Sequence, residues 1–102
     1  MTARLLDPAQ IDLLDLAVWY DQQTAGVGDQ LTKAMDQLLS TPGRLPHLYG
    51  RVAGCPRGRD VREALVPGFP AVAVYEVMTT EVLVVSVVHG RSSRSHWRGR
   101  LP

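Results

Sequence analysis

The polar and apolar positions at the start of the chain predict a short strand followed by a helix. The apolar residues of Arg4-Leu5-Leu6 favour a short strand. A helix start follows, with Asp7 as the N-cap, Pro8 at the first helical position and Gln10 reaching back as in a capping box. We therefore expect the first helix to begin at Pro8, with the Asp7 side chain capping it.

This first helix carries two apolar stripes, whereas an ordinary surface helix carries one. The stripes are Ile11, Leu14 and Val18, and Leu13, Leu16 and Tyr20. Asp12, Asp15 and Gln22, with Trp19 among them, are left for a polar edge. Because so much of the circumference is apolar, the helix cannot rest on one sheet alone. We expect a second helix or a partner protein to cover the rest of it.

A second helix is predicted from Asp29 to Ser40, after a turn at residues 25–28. Thr41-Pro42-Gly43 should end it. Its stripe is cleaner than that of the first helix and consists of Leu31, Ala34, Met35 and Leu38. Two helices joined by a short glycine-containing turn are expected to form an antiparallel hairpin.

The second half of the chain predicts a loop and then a sheet. Residues 41–60 are rich in Pro, Gly and Arg and show no period, so we expect a long loop. Three strands follow, at Val61–Val66, Ala71–Met78 and Glu81–His89, separated by two short turns. The predicted fold is α+β, in which a short N-terminal strand precedes an antiparallel helical hairpin packed on one face of an antiparallel meander.

The last strand is apolar on both of its alternating sides. The two sets are Leu83, Val85 and Val87, and Val82, Val84 and Val88. Such a strand is central and covered on both faces. The hairpin can cover one face, and nothing else in the chain is evidently available for the other. We therefore expect an obligate partner protein or a homodimer. The alternative is a monomer whose loop and tail fold over that face.

Length and charge refine this picture. At 102 residues the chain is a single domain, divided into a strand and hairpin (1–40), a loop (41–60), a sheet (61–90) and a basic tail (91–102). The net charge of +1 hides an asymmetry. Residues 1–40 hold six Asp against two cations, a net charge of −4, and residues 41–102 hold nine Arg against four acids, a net charge of +5.

A cytoplasmic protein without a membrane partner is the expectation. Cys55 has no second cysteine with which to form an intrachain disulfide. The start of the chain has no apolar signal core, and the run from Val82 to Val88 is too short to span a bilayer.

The tail and the strand before it hold the candidate chemistry. Four arginines (Arg91, Arg94, Arg98 and Arg100) fall within ten residues, beside His89, His96 and Trp97. Such a cluster at a strand end is suited to meeting an anion. The histidines lack metal-ligand spacing, and no cofactor fingerprint is present, so neither a metal nor a cofactor is expected.

The order of several segments resembles the ParE/RelE superfamily of bacterial type II toxins. These are Arg4-Leu-Leu-Asp-Pro-Ala-Gln10, Ala17-Val-Trp-Tyr20, Gly26-Val-Gly28, Thr41-Pro42 with Leu45-Pro46, Val61-Arg-Glu-Ala-Leu65, Phe69-Pro-Ala-Val-Ala-Val-Tyr75, Val84-Val-Ser-Val-Val-His-Gly-Arg91 and Arg94-Ser-His-Trp-Arg98. The resemblance implies a strand, a helical hairpin and an antiparallel sheet. It also implies an antitoxin that wraps the sheet and helices. RelE-like members cut mRNA in the ribosome, whereas ParE-like members poison DNA gyrase and are not nucleases.

Two departures bear on the choice between these activities. The predicted sheet has no lysine, since Lys33 lies on the second helix, and the Arg51–Asp60 loop is one that the family usually lacks. The first departure favours a ParE-like toxin that binds a target such as gyrase. The alternatives are a RelE-like ribosome-dependent endonuclease and a non-toxic family member that acts only as an interaction module.

Each alternative assigns its own residues. For an endonuclease, the catalytic residues are His89, His96 and Arg62. For target or phosphate binding they are Arg62, Arg91, Arg94, Trp97 and Arg98, although Trp97 packing against the domain is the competing interpretation. For partner binding they are Leu13, Leu16, Trp19, Tyr20, Val82, Val84 and Val88. The partners expected are a cognate antitoxin and either gyrase or the ribosome with its mRNA, and a homodimer where antitoxin is absent.

Overall fold

The computed structural model describes residues 2–40, 50–90 and 96–102, the last segment with side chains from residue 97. Its elements are strand β1 (Thr2–Leu5), helix α1 (Asp7–Gln23), helix α2 (Val27–Leu39), strands β2 (Val61–Leu65), β3 (Ala71–Val77) and β4 (Glu81–His89), and a short 3-10 helix (His96–Arg100). The predicted α+β class is confirmed. In this part of the chain, neither helix combines the length and the apolar composition that crossing a membrane requires.

The strands form one mixed sheet in the order β1-β4-β3-β2. Consecutive strands β2, β3 and β4 pair antiparallel, so the predicted meander is confirmed. The N-terminal strand β1 runs parallel to β4, and their pairing extends from Thr2 with Glu81 to Leu5 with Val84. β4 therefore has a neighbour on each side, which makes it the central strand that its apolar sequence predicts.

Helix α1 begins directly where β1 ends. Leu6 is the N-cap residue in an extended conformation, and its N–H donates to the carbonyl oxygen of Val84 at 2.9 Å. The predicted cap at Asp7 is wrong, because Asp7 lies inside the first turn and makes no side-chain cap hydrogen bond. Because the Leu6 N–H is hydrogen-bonded to β4, the boundary between strand and helix lies one residue earlier than predicted. The Asp7 carboxylate still lies at the positive end of the helix dipole.

The turn between the helices depends on two glycines. Gly26 has a φ of 91°, a left-handed conformation that residues with a Cβ rarely adopt. Gly28 packs against α1, where a Cβ would overlap the carbonyl oxygen of Ala17 and lie 2.8 Å from the Asp21 carboxylate. The Gly28 N–H instead donates to Asp21 at 2.8 Å. This close approach lets α2 start two residues earlier than the polar pattern predicts.

The first hydrophobic core lies between the helices and one face of the sheet. The predicted α2 stripe is confirmed as buried: Leu31, Ala34, Met35 and Leu38. Helix α1 contributes one of its two stripes, with Leu13, Leu16, Ala17 and Tyr20 half-buried against this core. The other α1 stripe faces outward. The second helix therefore covers only part of the apolar surface of α1.

A β-bulge in β4 determines which of its side chains face the helices. Tyr75 pairs with Val84 but Val74 pairs with Ser86, so Val85 is the additional residue. The first core receives Val82, Val84 and Val87, and the opposite face receives Val85 and Val88. Strict alternation assigned Val87 and Val88 to the wrong faces, because the bulge exchanges the two sides of the strand.

The second face of the sheet is covered by the chain itself. The buried residues of this second core are Val52, Val61, Val72, Val74, Val85, Val88 and Trp97. Val52 belongs to the loop before β2, and Trp97 belongs to the 3-10 helix. The prediction that the chain has nothing with which to cover this face is therefore wrong. The alternative, in which loop and tail fold over the face, is the arrangement observed.

Candidate functional site

An open groove of about 270 Å³ lies between α1 and the end of β4. It is lined by Asp12, Asp15, Leu16, Trp19, Val87, Val88 and His89. The Trp19 indole is 46% exposed, and its ring centre lies 6.0 Å from that of His89 in an edge-to-face arrangement. The fold thus brings a predicted partner-binding residue against a predicted catalytic residue. The groove has an aromatic wall and two carboxylates on its rim.

A row of aromatic rings connects this groove to the first core. The ring centre of Tyr20 lies 5.0 Å from that of Trp19 and 5.2 Å from that of Phe69, both edge-to-face. Within the described residues, the buried Tyr20 hydroxyl has no hydrogen-bond partner. The ring of Tyr20 therefore has a packing role, which holds Trp19 at the surface.

Asp12 and Arg100 form hydrogen bonds to backbone groups of β4 beyond the point where its pairing with β1 ends. Asp12 accepts a hydrogen bond from the N–H of Val87 at 3.1 Å, and Arg100 donates to the carbonyl oxygen of Val85 at 3.1 Å. The two side chains also pair with each other at 2.6 Å. Together they satisfy two backbone groups that a strand edge would otherwise leave unpaired. Sequence reasoning missed this pair, because its members are 88 residues apart and no local pattern links them.

Arg62 lies on β2, where its Nε donates to Asp60 at 2.8 Å and its side chain is 18% exposed. Arg62 is opposite Tyr75 on β3, and His89 is opposite Ala71 on the same strand. Their partners on β3 are four residues apart, and β2 and β4 lie two strand spacings apart across the sheet. The Cα atoms of Arg62 and His89 are therefore about 16 Å apart. The structure therefore does not bring these two predicted catalytic residues together.

A buried carboxylate on β3 anchors the loop before β2. Glu76 is 2% exposed and accepts two hydrogen bonds from the Arg59 guanidinium, one of them at 2.7 Å. Arg59 also donates to the carbonyl oxygen of Pro102 at 3.0 Å. The hydrogen bond to Glu76 is the main reason that the pKa of Arg59 is raised. Glu76 stands inside an otherwise apolar strand, and a buried carboxylate requires a cationic or hydrogen-bonding partner. This feature of the sequence could have predicted the pairing with a cation, but it was not used.

Trp97 and Arg98 belong to the cover of the second face. Trp97 is 2% exposed, so the structure does not place it where it could stack on a base, and its packing interpretation is the correct one. Arg98 is exposed, with its guanidinium carbon 4.9 Å from the centre of the Trp97 ring. Arg98 also lies across Gly54, where a Cβ would overlap its guanidinium. The other predicted tail residues lie outside the described residues: Arg91, Arg94 and the side chain of His96.

Most of the predicted partner-binding residues are buried within the chain. Val82, Val84 and Val88 are at most 7% exposed, and Leu13, Leu16 and Tyr20 are half-buried against the first core. Trp19 differs from these in being exposed. The apolar side chains that α1 presents to solvent belong to its other stripe and are Ile11 at 58%, Leu14 at 63% and Val18 at 56% exposure. The α1 stripe assigned to partner binding from the sequence is thus the one that packs against the first core, since both stripes have helical spacing and similar hydrophobicity.

Fold and site together define a small α+β protein whose described surfaces are suited to binding: an aromatic groove, an apolar helix stripe and an exposed arginine. Across the described ranges, no three His, Cys, Asp or Glu side chains converge as metal ligands do. The sequence matches the family profile described as ParE toxin of type II toxin-antitoxin system, parDE, over residues 3–94. The chain belongs to this ParE toxin family, and the predicted resemblance is thereby confirmed.

A solved structure shares the fold. It is described as the chromosomal ParDE TA system from P. aeruginosa, and the matching chain superposes with a TM-score of 0.62 at 18% sequence identity. The match covers 87% of this chain and 95% of that chain. A comparison with curated proteins gave no match.

Proposed function

We propose that this chain is the toxin of a type II toxin–antitoxin pair, and that it inhibits growth by binding an essential cytoplasmic target such as DNA gyrase. The observation that carries the proposal is the family match, which spans residues 3–94 and therefore both helices and all four described strands except the first residue of β1. The similar fold of a chain from a ParDE system supports it. A cognate antitoxin is the partner that would neutralise the chain, and a homodimer is the proposed assembly where antitoxin is absent.

Binding is favoured over RNA cleavage by the geometry of the described polar residues. Cleavage through the 2′-hydroxyl needs a base, an acid and cations that hold the phosphate. Each of these groups must lie within hydrogen-bond reach of the substrate atom on which it acts. Arg62 and His89 are separated by about 16 Å in the sheet, and Arg62 is held by Asp60. His89 instead packs beside the exposed Trp19 ring, an arrangement suited to protein recognition.

Arg98 is the predicted target-binding residue that the described structure leaves exposed on the cover of the second face. Its guanidinium lies over the buried Trp97 ring, which restricts its position and reduces the entropy lost on binding. We propose that Arg98 contacts an acidic surface of the target, together with the predicted residues Arg91 and Arg94. Arg4 is an exposed arginine on β1 that pairs with Glu81 at 2.8 Å, and it serves as a control for the loss of an arginine elsewhere on the surface.

The test combines two assays. Purified chain is added to DNA gyrase and relaxed plasmid, and supercoiling is followed. In parallel, the chain is expressed without antitoxin while growth and total mRNA integrity are measured. We expect inhibited supercoiling and growth arrest with intact mRNA. Arg98→Ala should weaken inhibition about tenfold, whereas Arg4→Ala should not.

The opposite outcomes are equally specific. Arrest accompanied by rapid mRNA cleavage, abolished by His89→Ala with His96→Ala, would replace the binding proposal with a RelE-like endonuclease. Normal growth at high expression would remove the toxin assignment and leave an interaction module.

A further inference from the structure

Two separate segments of the chain meet on the second face of the sheet and form one surface. Residues 50–60 precede β2 and residues 96–102 follow β4, and each segment contributes a buried side chain to the second core. Arg59 in the first segment also donates a hydrogen bond to the carbonyl oxygen of Pro102 in the second, at 3.0 Å. We call this joint surface the basic cover, because arginine dominates its charge.

The basic cover carries a positive charge that the net charge of the whole chain, +1, conceals. Its two segments hold five arginines against one aspartate, a net charge of +4. The arginines are Arg51, Arg57, Arg59, Arg98 and Arg100, and the aspartate is Asp60. Helix α1, on the first face, has four aspartates and no Lys, Arg or His. The electrostatic field of the chain therefore directs a large anion toward the second face.

Two arginines of the basic cover are not neutralised by the fold. Arg51, Arg59 and Arg100 each form an ion pair with a carboxylate. Arg57 and Arg98 are exposed, and neither pairs with an acidic side chain anywhere in the described ranges. An exposed guanidinium group has five N–H donors. Without a carboxylate partner, these donors are available to an anion from outside the chain.

The loop geometry places the two unpaired arginines in one patch. Two consecutive turns are closed by backbone hydrogen bonds of 3.2 and 3.1 Å and use left-handed glycines, Gly54 (φ 70°) and Gly58 (φ 79°). Arg57 precedes Gly58 in the second turn, and the Arg98 guanidinium lies against Gly54 in the first. Three peptide units separate Gly54 from Arg57, so their Cα atoms are at most about 11 Å apart. Both arginines are therefore within reach of neighbouring anionic groups of one ligand.

The phosphate backbone of a nucleic acid is the anion that fits this patch. Its charges recur at a regular spacing, so they meet both arginines without carboxylates placed to match them. Guanidinium groups also bind phosphate oxygens through two parallel hydrogen bonds. Single strands are held by stacking on exposed aromatic rings, and the described part of the basic cover has none, because Trp97 is only 2% exposed. A duplex is therefore favoured, contacted through its backbone and not through its bases.

We propose that the basic cover binds the phosphate backbone of duplex DNA without sequence preference, with Arg57 and Arg98 as its main contacts. The inference rests on the proposed function in one respect, since it identifies the acidic surface that Arg98 meets as DNA held by the target. Arg57 belongs to the Arg51–Asp60 loop, by which the sequence departs from the family pattern. The contact made by Arg57 is therefore a property of this chain.

The test measures binding of a short, fluorescently labelled DNA duplex to the purified full chain by fluorescence anisotropy, between about 50 and 200 mM salt. Each phosphate contact contributes about 0.9 to the slope of log Kd against log salt concentration. We expect Arg57→Ala and Arg98→Ala each to lower this slope by about 1. Each should also raise the Kd about tenfold at the lowest salt concentration, which corresponds to one charged hydrogen-bonded contact.

Two control variants separate a phosphate contact from a change in net charge. Arg4→Ala removes the same charge from β1, the strand at the opposite edge of the sheet from β2, and should leave the slope unchanged. Arg98→Lys keeps the charge and should keep the slope, although it loses the paired hydrogen bonds of the guanidinium. All four side chains changed or retained here are exposed at the surface or lie in a turn, so each variant should keep the circular dichroism spectrum of the parent chain.

Three results would overturn the inference. They are no binding to the duplex at about 50 mM salt, equal slopes for Arg4→Ala and the two cover variants, and tighter binding to a glutamate-rich peptide that the same two variants abolish. The last result would assign the patch to an acidic protein surface. The toxin assignment is tested separately by growth arrest. Normal growth with intact DNA binding would remove the proposed function and leave the basic cover, whereas arrest and gyrase inhibition without DNA binding would do the reverse.

Discussion

Replacing Trp97 by alanine tests whether the tail covers the second face of the sheet. Trp97 is 2% exposed and packs in the second core with valines from β2, β3 and β4. Truncating a buried tryptophan costs about 3–5 kcal/mol, and the contact with the Arg98 guanidinium adds about 0.5–1 kcal/mol. A domain of this size has a free energy of unfolding of about 5–15 kcal/mol. We therefore expect Trp97→Ala to cost about 3.5–6 kcal/mol, which is about a quarter or more of the total stability.

The assay is urea unfolding followed by circular dichroism, with Trp19→Ala as the matched control. Trp19 is 46% exposed, so truncating it should cost only about 1–2 kcal/mol, including its edge-to-face ring contacts. The melting temperature of Trp97→Ala should fall by about 14–24 °C at about 4 °C per kcal/mol. A cost below about 1 kcal/mol for Trp97→Ala, or equal costs for the two variants, would refute the covered second face.

Three further changes probe individual contacts. Gly28→Ala should lower the free energy of unfolding by about 2 kcal/mol or more, measured by urea titration, because its Cβ would overlap the Ala17 carbonyl oxygen; a neutral result would contradict the tight helix junction. Tyr20→Phe should be neutral or stabilising by up to about 1 kcal/mol in the same titration, because the hydroxyl is buried without a partner in the described structure. Asp12→Ala should lower the free energy of unfolding by about 1–3 kcal/mol. It should also speed hydrogen exchange at the Val87 amide, which donates a hydrogen bond to the Asp12 carboxylate. The control Asp15→Ala should leave that amide protected, and equal exchange in both variants would contradict the edge pairing.

The elements themselves were predictable because their signals are local. The α2 stripe has one apolar side, so its buried face follows from helical spacing alone. The limits of β4 at Glu81 and His89 agree with the prediction, because the largely apolar run from Val82 to Val88 is followed and preceded by turn residues close to its ends. The meander followed from the shortness of its two turns.

The candidate site was less predictable, because its contacts join distant parts of the chain. Trp19 and His89 were both identified from the sequence, but their contact depends on how α1 crosses the end of β4. The pairing of Asp12 with Arg100 could not be foreseen, since either residue alone is an ordinary surface charge. Arg62 and His89 were expected to share a site, and strand order and register separate them.

The sequence by itself determined that this protein has a helical hairpin, a three-stranded meander with an apolar last strand, and an acidic first half joined to a basic second half. Those properties follow from residue spacing within one element and from composition. Only the tertiary structure decided which stripe of α1 is buried, where the β4 alternation reverses, and that loop and tail cover the second face. From the sequence alone, either stripe of α1 could be buried, the position of a bulge in β4 is not determined, and the second face could be covered by the chain or by a partner. Packing against elements distant in sequence selects one arrangement in each case.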